Sequence, residues 1–309
     1  MNRTMPALVV TAALLLAGCA THTEPPAATS APSSSFPVTV TPSGGKPVTI
    51  AAKPTHIVSL SPASTEDLFA IGAGPQVTAV DKLSDYPATA PRSDIDAYKP
   101  NVEAIAAKKP DLVIVYDDTN NVVAGLEQLK VPVLLLKAAA SLDDAYGQIT
   151  LLGKATGRTA EANTVVDDMK SQIADVVAKT PKKTLSYFHE LSADGYTVTS
   201  KTFVGQVYGL FGLRNVADLS AGGGLGGAGN YPQLSAEKVI AADPNLIFLA
   251  DTTCCQQSAA TVAARPGWGT LRAVRNGNVV ALDDSVASRW GPRVVDLVKA
   301  VAAAVQKAS

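Results

Sequence analysis

The chain has 309 residues, 47% of them hydrophobic, and a formal net charge of -1 at pH 7. This length predicts about two domains once the terminal segments are set aside. The balanced charge argues against a nucleic-acid-binding surface, which needs an excess of basic residues.

The first 19 residues have the pattern of a bacterial signal peptide. Arg3 precedes an apolar run, from Ala7 to Leu16, that is too short to span a bilayer comfortably. The run ends in the letters LAGC, and small residues ahead of Cys19 resemble a lipobox, in which the cysteine is lipidated and becomes the first residue of the mature chain. We expect lipidation, which would hold the protein on the outer face of a membrane. A plain signal peptide and a membrane anchor are the alternatives.

Residues 20–50 follow, and we predict that they form a disordered tether. Up to residue 47 the segment is rich in Pro, Ser, Thr and Ala, and almost no large apolar side chain precedes Phe36. Such a composition cannot bury enough apolar surface to offset the entropy of the chain.

Short apolar runs alternate with helical patterns through the rest of the chain. Strands are predicted at 57–60, 77–80, 112–115, 133–136, 184–188, 246–249 and 279–282. Helices are predicted at 64–71, 101–110, 120–130, 202–213, 235–243 and 294–306, with Ser64, Asn101 and Ser235 as N-terminal caps. The alternation predicts an α/β fold with mostly parallel sheets, in an N-terminal lobe over 51–157 and a C-terminal lobe over 181–309.

One further helix, over 159–179, is long for a globular chain. Thr159 can cap it and Pro181 prevents its continuation. At about 1.5 Å per residue it spans roughly 30 Å. Its apolar residues recur at steps of three and four and share one face: Val165, Met169, Ile173, Val176 and Val177. We predict that 158–180 is a strut joining two Rossmann-like lobes, and that the cleft between the lobes is the functional site.

The segments 101–115 (NVEAIAAKKPDLVIV) and 235–249 (SAEKVIAADPNLIFL) align without a gap. Each has a capping residue, a Glu two places on, an apolar helical face, a Pro and a buried strand. The match is either a duplication or a pattern shared by βαβ units. It places Glu103 and Glu237 at matching corners of the two lobes. Compensation of the helix macrodipole is the simpler interpretation of these acids. Their spacing alone is not evidence of any further role, because any acid in a first helical turn serves this purpose.

Recognisable catalytic motifs are absent from the sequence: it has no HExxH, Walker, G-x-S-x-G or C-x-x-C pattern. Of three histidines, His22 lies in the tether, and no motif supports a hydrolytic triad around His56 or His189. The glycine run over 221–229 lacks a following Lys-Ser/Thr and is predicted to be a mobile loop at the mouth of the cleft. We therefore predict that the protein is not an enzyme. An envelope enzyme acting on cell-wall or small-ester substrates and a scaffold or sensor are the alternatives.

Aromatic and cationic residues gather at predicted strand ends and loops. In open α/β sheets ligands bind beyond the carboxyl ends of the strands. Flat rings with guanidinium groups suit a large, partly apolar, anionic ligand. Packing in the core or on the surface is the simpler interpretation for any single tyrosine. The predicted ligand-binding residues are Tyr86, Tyr98, Tyr116, Tyr231, Arg289, Trp290 and Arg293.

Cysteine use agrees with a location outside the cytoplasm. If Cys19 is lipidated, the adjacent pair Cys254 and Cys255 are the only other cysteines. In an oxidising compartment this pair could close as a vicinal disulfide. Two reduced, buried thiols are an equal alternative, and a thiolate metal site would need other ligands.

Several of these segments together carry a family resemblance. They are HIVSLSPASTE at 56–66, SDYP at 84–87, NVE at 101–103, KPDLV at 109–113, DPNLI at 243–247 and RWGPR at 289–293. They resemble the substrate-binding lipoproteins of ABC importers for iron-siderophores, haem and cobalamin, the ferric-citrate-binding-like proteins with a helical backbone. The resemblance covers residues 51–306 and implies two α/β lobes, joined by one long helix, that open and close little.

The resemblance also implies roles for residues. Glu103 and Glu237 would dock on arginines of a two-fold permease dimer, one acid from each lobe. Tyr116 and Tyr231 occupy positions that are often Trp in the family's cobalamin binders, with Tyr86 retained nearby. The implied ligand is therefore a ferric siderophore or haem, with cobalamin as the alternative. His189 is a candidate haem ligand, although a structural role is the simpler interpretation. We expect a monomer on the extracytoplasmic face, with no intrinsic cofactor, no directly bound metal and no nucleic-acid partner.

Overall fold

The structure is a computed structural model that describes residues 36–218 and 229–308. These residues form two four-stranded parallel sheets and one short antiparallel hairpin. The predicted α/β class and the parallel sheets are confirmed. In the described ranges, no helix has the length and apolar character needed to cross a bilayer.

The hairpin precedes both sheets and corrects one prediction. Strands β1 (Val38–Val40) and β2 (Val48–Ile50) pair antiparallel. Val40 and Ile50 are buried in the main hydrophobic core. The predicted disordered tether over 20–50 is therefore wrong for residues 36–50. Apolar residues alternate with Thr in both short strands, and this period-two pattern is that of a half-buried strand.

The first lobe contains one of the parallel sheets and four helices. Its strands are β3 (Ile57–Leu60), β4 (Val77–Val80), β5 (Leu112–Val115) and β6 (Val133–Leu135), in the spatial order β4-β3-β5-β6. Its helices are α1 (Pro62–Ala70), α2 (Val102–Ala106), α3 (Val122–Gln128) and α4 (Leu142–Thr156). The central strands β3 and β5 are buried along their whole length, which explains their nearly continuous apolar sequences.

The long helix α5 (Thr159–Lys179) leads to the second lobe. The strands there are β7 (Ser186–Glu190), β8 (Arg214–Asn215), β9 (Leu246–Leu249) and β10 (Val279–Ala281), in the order β10-β9-β7-β8. The helices are α6 (Phe203–Gly209), α7 (Ala236–Ala242), α8 (Thr252–Cys255), α9 (Ala259–Ala263), α10 (Arg272–Arg275), α11 (Asp284–Ser288) and α12 (Val294–Lys307). Short 3-10 turns occur at Gly74–Gln76, Thr119–Asn121 and Trp268–Thr270.

Helix α5 packs against α4 of the first lobe and against α12 of the second. Its bounds are those predicted from the sequence, and Met169 and Ile173 are buried on the predicted face. Ala162 and Val166 complete the buried stripe, while Val165 is only partly buried. One continuous helix thus contacts both lobes, as a connecting strut requires.

Two predicted N-terminal caps are wrong. Ser61, not Ser64, caps α1, because the Ser64 backbone N–H donates to Ser61 Oγ at 3.3 Å and proline occupies the first turn. In α5, Thr159 is the first helical residue and Arg158 occupies the N-cap position. The Arg158 guanidinium group donates to Glu161 Oε1 at 2.9 Å. The N-cap position thus lies three residues before the predicted one in α1 and one residue before it in α5.

Helix α4 has no counterpart among the predicted elements, although its ends carry ordinary signals. Ser141 caps it, with its hydroxyl accepting from the Asp144 N–H at 3.2 Å. Gly157, at φ 69°, ends it in the left-handed conformation that glycine adopts at no steric cost. The helix packs on α1, α5 and the hairpin, so it forms part of the first lobe's core.

Candidate functional site

A cavity of about 340 Å³ lies between the two lobes at the carboxyl ends of the first lobe's strands. Its first-lobe wall consists of residues 61–63 after β3, Tyr116 after β5, residues 136–139 after β6, and Leu83, Tyr98 and Gln148. The second lobe contributes residues 288–290, which lie at the C-terminal end of α11 and just after it. Ligands of open α/β sheets bind at this edge. The cavity is therefore the candidate functional site, and four predicted residues line it: Tyr98, Tyr116, Arg289 and Trp290.

Tyr98 and Tyr116 form an aromatic pair on the first-lobe wall. Their ring centroids lie 6.0 Å apart with the planes at 77°, an edge-to-face arrangement. Tyr98 is 61% exposed, so its ring is available to a ligand. Burial raises the pKa of Tyr116, so its phenol stays neutral at neutral pH. The pair offers apolar ring surface with hydroxyl groups at its edge.

The loop that carries Tyr86 is held by buried hydroxyl groups. Thr65 Oγ1 lies 2.9 Å from Ser59 Oγ and 3.0 Å from Ser84 Oγ. Ser84 in turn donates to the Asp81 carboxylate. This network therefore ties the loop after β4 to strand β3 and helix α1. Tyr86 itself is 45% exposed and lies beside the cavity rather than among its lining residues.

Two arginines of the second lobe are paired with acids of the first. Arg289 binds the carboxylate of Asp85. Arg293 Nε donates to Glu66 Oε2 at 2.9 Å, and its terminal nitrogen donates to the other carboxylate oxygen. The Arg293 guanidinium carbon also lies 4.0 Å from the Tyr86 ring centroid, a cation–π contact. The two predicted cations are thus brought together with Tyr86, but each has a carboxylate partner.

These ion pairs differ in their exposure. Burial raises the pKa of Glu66, against the opposing effect of the Arg293 hydrogen bond and charge, and only 2% of its side chain is exposed. Burial also acts to raise the pKa of Asp85, but the hydrogen bond and charge of Arg289 outweigh it, so that the pKa is lowered. The Asp85 side chain is 51% exposed. Neither guanidinium group is therefore an unpaired cation, in contrast to the expected anion-binding site.

Trp290 lies between the two arginines and belongs to the second lobe. Its ring stacks on Phe203 of α6, with centroids 4.8 Å apart and planes at 12°. Its Nε1–H donates to the Ala287 carbonyl at 3.4 Å. Phe203 thus covers one face of the indole, and Trp290 also lines the cavity.

Tyr231 is not among the residues that line the cavity. It is 41% exposed, and burial of the remainder raises the pKa of its phenol. Its neighbours in sequence pair with the segment after β7, since the Thr197 N–H donates to the Pro232 carbonyl at 3.0 Å. The predicted glycine loop over 221–229 precedes it, and residues 221–228 lie outside the described residues, as does Cys19.

Glu103 and Glu237 occupy matching places, as the repeat predicts. Each is exposed in the first turn of a short helix, α2 or α7, which leads to a buried strand of its lobe. Asn101 Oδ1 accepts from the Ala104 N–H at 2.7 Å, and Ser235 caps the other helix in the same way. A hydrogen bond from its own backbone N–H, with a second from Ser235, lowers the pKa of Glu237, so this acid is ionised at neutral pH.

The two described histidines lie away from the cavity. His189 is fully buried in β7, with Nδ1 2.7 Å from the Tyr208 hydroxyl, and burial lowers its pKa to about 3. Its suggested role as a haem ligand is therefore contradicted, since no part of the ring is exposed. His56 precedes β3, at the opposite end of the sheet, where Thr55 and Asp111 contact it. In the described part of the chain, no group of three or more His, Cys, Asp or Glu is placed to hold a metal ion.

The adjacent cysteines form a disulfide. Cys254 and Cys255 are bonded to each other within α8, and both residues are exposed. Of the two alternatives, the vicinal disulfide is the one observed, and buried thiols are not. The Asp284 carboxylate accepts from the backbone N–H groups of Thr252, Thr253 and Cys254 at 2.8–3.0 Å, which ties α8 to α11.

Sequence reasoning missed the acids that accompany the arginines. Glu66 is the last residue of the 56–66 motif, and Asp85 belongs to the SDYP motif, so both lay within segments already singled out. It also missed residues 61–63 and 136–139. The signal for these was available, because each stretch directly follows a predicted strand and so lies at the carboxyl edge of a parallel sheet.

Comparison with known proteins gives a consistent assignment. The family described as periplasmic binding protein matches residues 57–286 of the chain. YvrC of Bacillus subtilis, an uncharacterised ABC transporter substrate-binding lipoprotein, is 30% identical over 311 residues, covering 97% of this chain and 95% of the relative. A cobalamin-binding protein of Halobacterium salinarum is 28% identical over 274 residues, covering 85% of this chain and 72% of the relative. The crystal structure of a possible iron-binding (periplasmic solute-binding) protein of Staphylococcus epidermidis matches with a TM-score of 0.69 and 26% identity, over 82% of this chain and 99% of the other.

Proposed function

Since the chain belongs to the periplasmic binding protein family, we propose that it captures a large, ring-containing ligand between its lobes and delivers it to an ABC importer. The observation that carries this proposal is the cavity itself. Rings from both lobes border it, with Tyr98 and Tyr116 on one side and Trp290 on the other. Apolar ring surface with a few polar groups is what such ligand sites present.

Cobalamin is the first candidate ligand. Asp85 and Glu66 balance the charges of Arg289 and Arg293, so the cleft offers little net positive charge to a strongly anionic molecule. A corrin ring edged with neutral amides suits aromatic walls and hydroxyl groups better than a multiply charged anion does. The relative from Halobacterium salinarum, named as a cobalamin-binding protein, supports this choice.

A ferric siderophore or haem is the second candidate, and a specific observation favours it. The Asp85 carboxylate is half exposed, so an anionic group of a ligand can replace it on Arg289. Lys137 also lines the cavity and adds a second cation. The structural neighbour from Staphylococcus epidermidis, described as possibly iron-binding, supports this candidate.

Lipid anchoring and docking on a permease complete the proposed role. Cys19 would carry the acyl chains and hold the protein on the extracytoplasmic face of a membrane. Glu103 and Glu237 would each meet one subunit of a permease dimer, because the lobe repeat places one exposed acid on each lobe. A monomeric receptor with this pseudo-symmetry fits a two-fold partner.

The enzyme alternative has little support from the described site. A hydrolytic mechanism needs a base within hydrogen-bond reach of a nucleophile. His56 lies at the opposite end of the first sheet, and His189 is buried in the core of the second lobe. Neither ring lines the cavity.

Isothermal titration calorimetry of the full chain with cyanocobalamin, ferric citrate and haemin tests the proposal. We expect saturable binding of cyanocobalamin with a dissociation constant near or below about 1 μM, equivalent to about -8 kcal/mol. Binding of haemin or ferric citrate without cyanocobalamin would select the second candidate. If none of the three binds at concentrations up to about 100 μM, roughly -5.5 kcal/mol, the receptor function is contradicted for these ligand classes.

A further inference from the structure

Residues 289–293, here called the cross-lobe segment, join the two lobes at the edge of the cavity. The segment belongs to the second lobe, between α11 and α12, yet both of its ion pairs are made with the first. Arg293 binds both carboxylate oxygens of Glu66 on α1. Only 2% of the Glu66 side chain and 16% of the Arg293 side chain are exposed. The pair is therefore almost fully shielded from water.

Gly291 brings the backbone of the segment against α1. A Cβ atom at this position would lie 3.2 Å from Asp67 Oδ1 and 3.4 Å from the Ala63 carbonyl oxygen. The first distance is tighter than ordinary van der Waals contact, so even a methyl group here requires the facing atoms to shift by a few tenths of an ångström, and a branched side chain requires more. Asp67 is itself buried, and its Oδ1 has no hydrogen-bond partner among the described protein atoms.

The second ion pair of the segment has different properties. Arg289 and Asp85 also join the lobes, but half of the Asp85 side chain is exposed. An exposed pair contributes little to stability and is weakened by salt, whereas the loss of one partner from a buried pair leaves an uncompensated charge. A ligand can therefore compete for Arg289, but Arg293 cannot leave Glu66 without a large cost.

We propose that the Glu66–Arg293 pair, together with the close approach of Gly291 to α1, fixes the separation of the lobes. The pair thereby sets the width of the cavity. Arg293 is then a positioning residue that acts on the ligand through lobe geometry and does not touch it. The proposal differs from the predicted direct contact between Arg293 and the ligand, and Arg293 is not among the residues that line the cavity. The inference concerns the protein without ligand, and it rests on the proposed function only where it links cavity width to affinity.

Trp290 provides a direct readout, because it lies inside the segment and the chain has only one other tryptophan, Trp268. Replacing Trp268 by Phe leaves Trp290 as the single tryptophan of the chain, and excitation at the red edge of the absorption band avoids emission from the eight tyrosines. Acrylamide quenching of its fluorescence then measures how open the cleft edge is, with no ligand present. In this background we expect Glu66→Gln to raise the quenching constant about two-fold or more.

The matched control is Glu190→Gln. Like Glu66, Glu190 accepts two hydrogen bonds from one arginine: the two terminal nitrogens of Arg265 each donate to one of its carboxylate oxygens at 2.6 Å. This buried pair lies entirely within the second lobe. The control substitution should lower the melting temperature without changing the quenching of Trp290. Unchanged quenching in folded Glu66→Gln would overturn the proposal, as would an equal rise in the control. If Glu66→Gln does not fold, Gly291→Val serves instead, since it keeps both charges and acts by steric contact alone.

Affinity for cyanocobalamin as a probe provides the second readout. Glu66→Gln should weaken binding about ten-fold, and Glu190→Gln should not weaken it. If wild-type protein binds no cyanocobalamin, the proposed ligand fails while the quenching result still decides the role of the pair. If binding is strong and the Glu66 variant binds equally well, the link between cavity width and affinity is contradicted.

Discussion

Arg289 of the second lobe, which lines the cavity, is paired with Asp85 of the first lobe. The two residues are 204 positions apart in the chain. The same pairing neutralises a cation that a ligand would otherwise meet. The charge of the cleft is thus set by a contact between lobes, and this leads to the first prediction.

Replacing Asp85 by Asn should strengthen the binding of anionic ligands. The change releases Arg289 without removing a structural pair, so we expect haemin to bind about two- to five-fold more tightly, the range of an exposed ion pair. Cyanocobalamin binding should change little. The gain should shrink at high ionic strength, because salt screens exposed charges. The measurement is calorimetric titration at low and high salt.

Asp94→Asn is the control for this prediction. Asp94 is exposed on the same lobe, so its replacement changes the net charge by the same amount at a different place. An equal gain in haemin affinity for both variants would mean that net charge alone is responsible. The specific role of the Arg289 pair would then be rejected.

Stability should fall as the pH rises from about 5 to 7 because of Asp251. This side chain is fully buried, neither of its oxygens has a hydrogen-bond partner among the described atoms, and burial raises its pKa to about 7, helped by the charge of Glu190. Arg265, which binds Glu190 and Gln257, acts in the opposite direction. The folded protein therefore keeps a proton that the unfolded chain releases near pH 4. The resulting stability is complete below that pH and is lost as the pH approaches 7.

The Asp251→Asn variant isolates this effect. An amide does not titrate, so the variant should show a shallower decline between pH 5 and 7 than wild type and should gain melting temperature over wild type as the pH rises. Burial also raises the pKa of Asp67, so part of the decline should remain. Melting curves by circular dichroism at intervals over pH 5–8 provide the measurement. Asp94→Asn should keep the wild-type slope. Identical slopes in wild type and Asp251→Asn would show that another group is responsible.

Replacing Tyr98 by Ala should weaken ligand binding and leave folding intact. The residue is 61% exposed, so little packing is lost, and a surface substitution of this kind changes stability by about 0.5 kcal/mol or less. An aromatic contact with a ligand ring contributes about 0.5–1.5 kcal/mol, which predicts a loss of affinity of about two- to twelve-fold. Tyr196→Ala, at an exposed tyrosine outside the cavity lining, should bind normally. Equal effects of the two variants would show that Tyr98 makes no ligand contact.

Replacing Glu103 and Glu237 by Ala should reduce uptake without changing ligand affinity. Both acids are exposed and neither lines the cavity, so binding in solution should be unaffected. Cellular uptake of the identified ligand should fall with either single change and further with both, because one acid serves each lobe. Glu127→Ala, at an exposed acid in α3, is the control. Full uptake by the double variant would favour the scaffold or sensor alternative.

The sequence by itself determined the local structure and its order along the chain. The bounds of β3, β4, β5, β9 and α5 agree with the predictions, and Asn101 and Ser235 cap the paired helices of the repeat. These features follow from residues within one turn or one strand of each other, where periodicity, caps and proline act. The hairpin and α4 were not predicted, although their signals are also local. The Pro- and Ser-rich composition of the preceding segment concealed the hairpin, whereas α4 carries an ordinary serine cap at its start and a glycine at its end.

Only the tertiary structure decided what the charged and aromatic side chains do. Glu66 and Arg293 are 227 positions apart, and no periodicity connects them. His189 was predicted at a strand end, but strand β7 continues past it into the core, so its ring is buried against Tyr208 rather than presented to a ligand. Sequence patterns report which residues share a face, whereas the partner of a charge depends on which faces meet when the lobes fold together. The chain itself therefore specified two lobes, a strut and a ring-lined edge, and the contact between the lobes specified how much charge that edge leaves for a ligand.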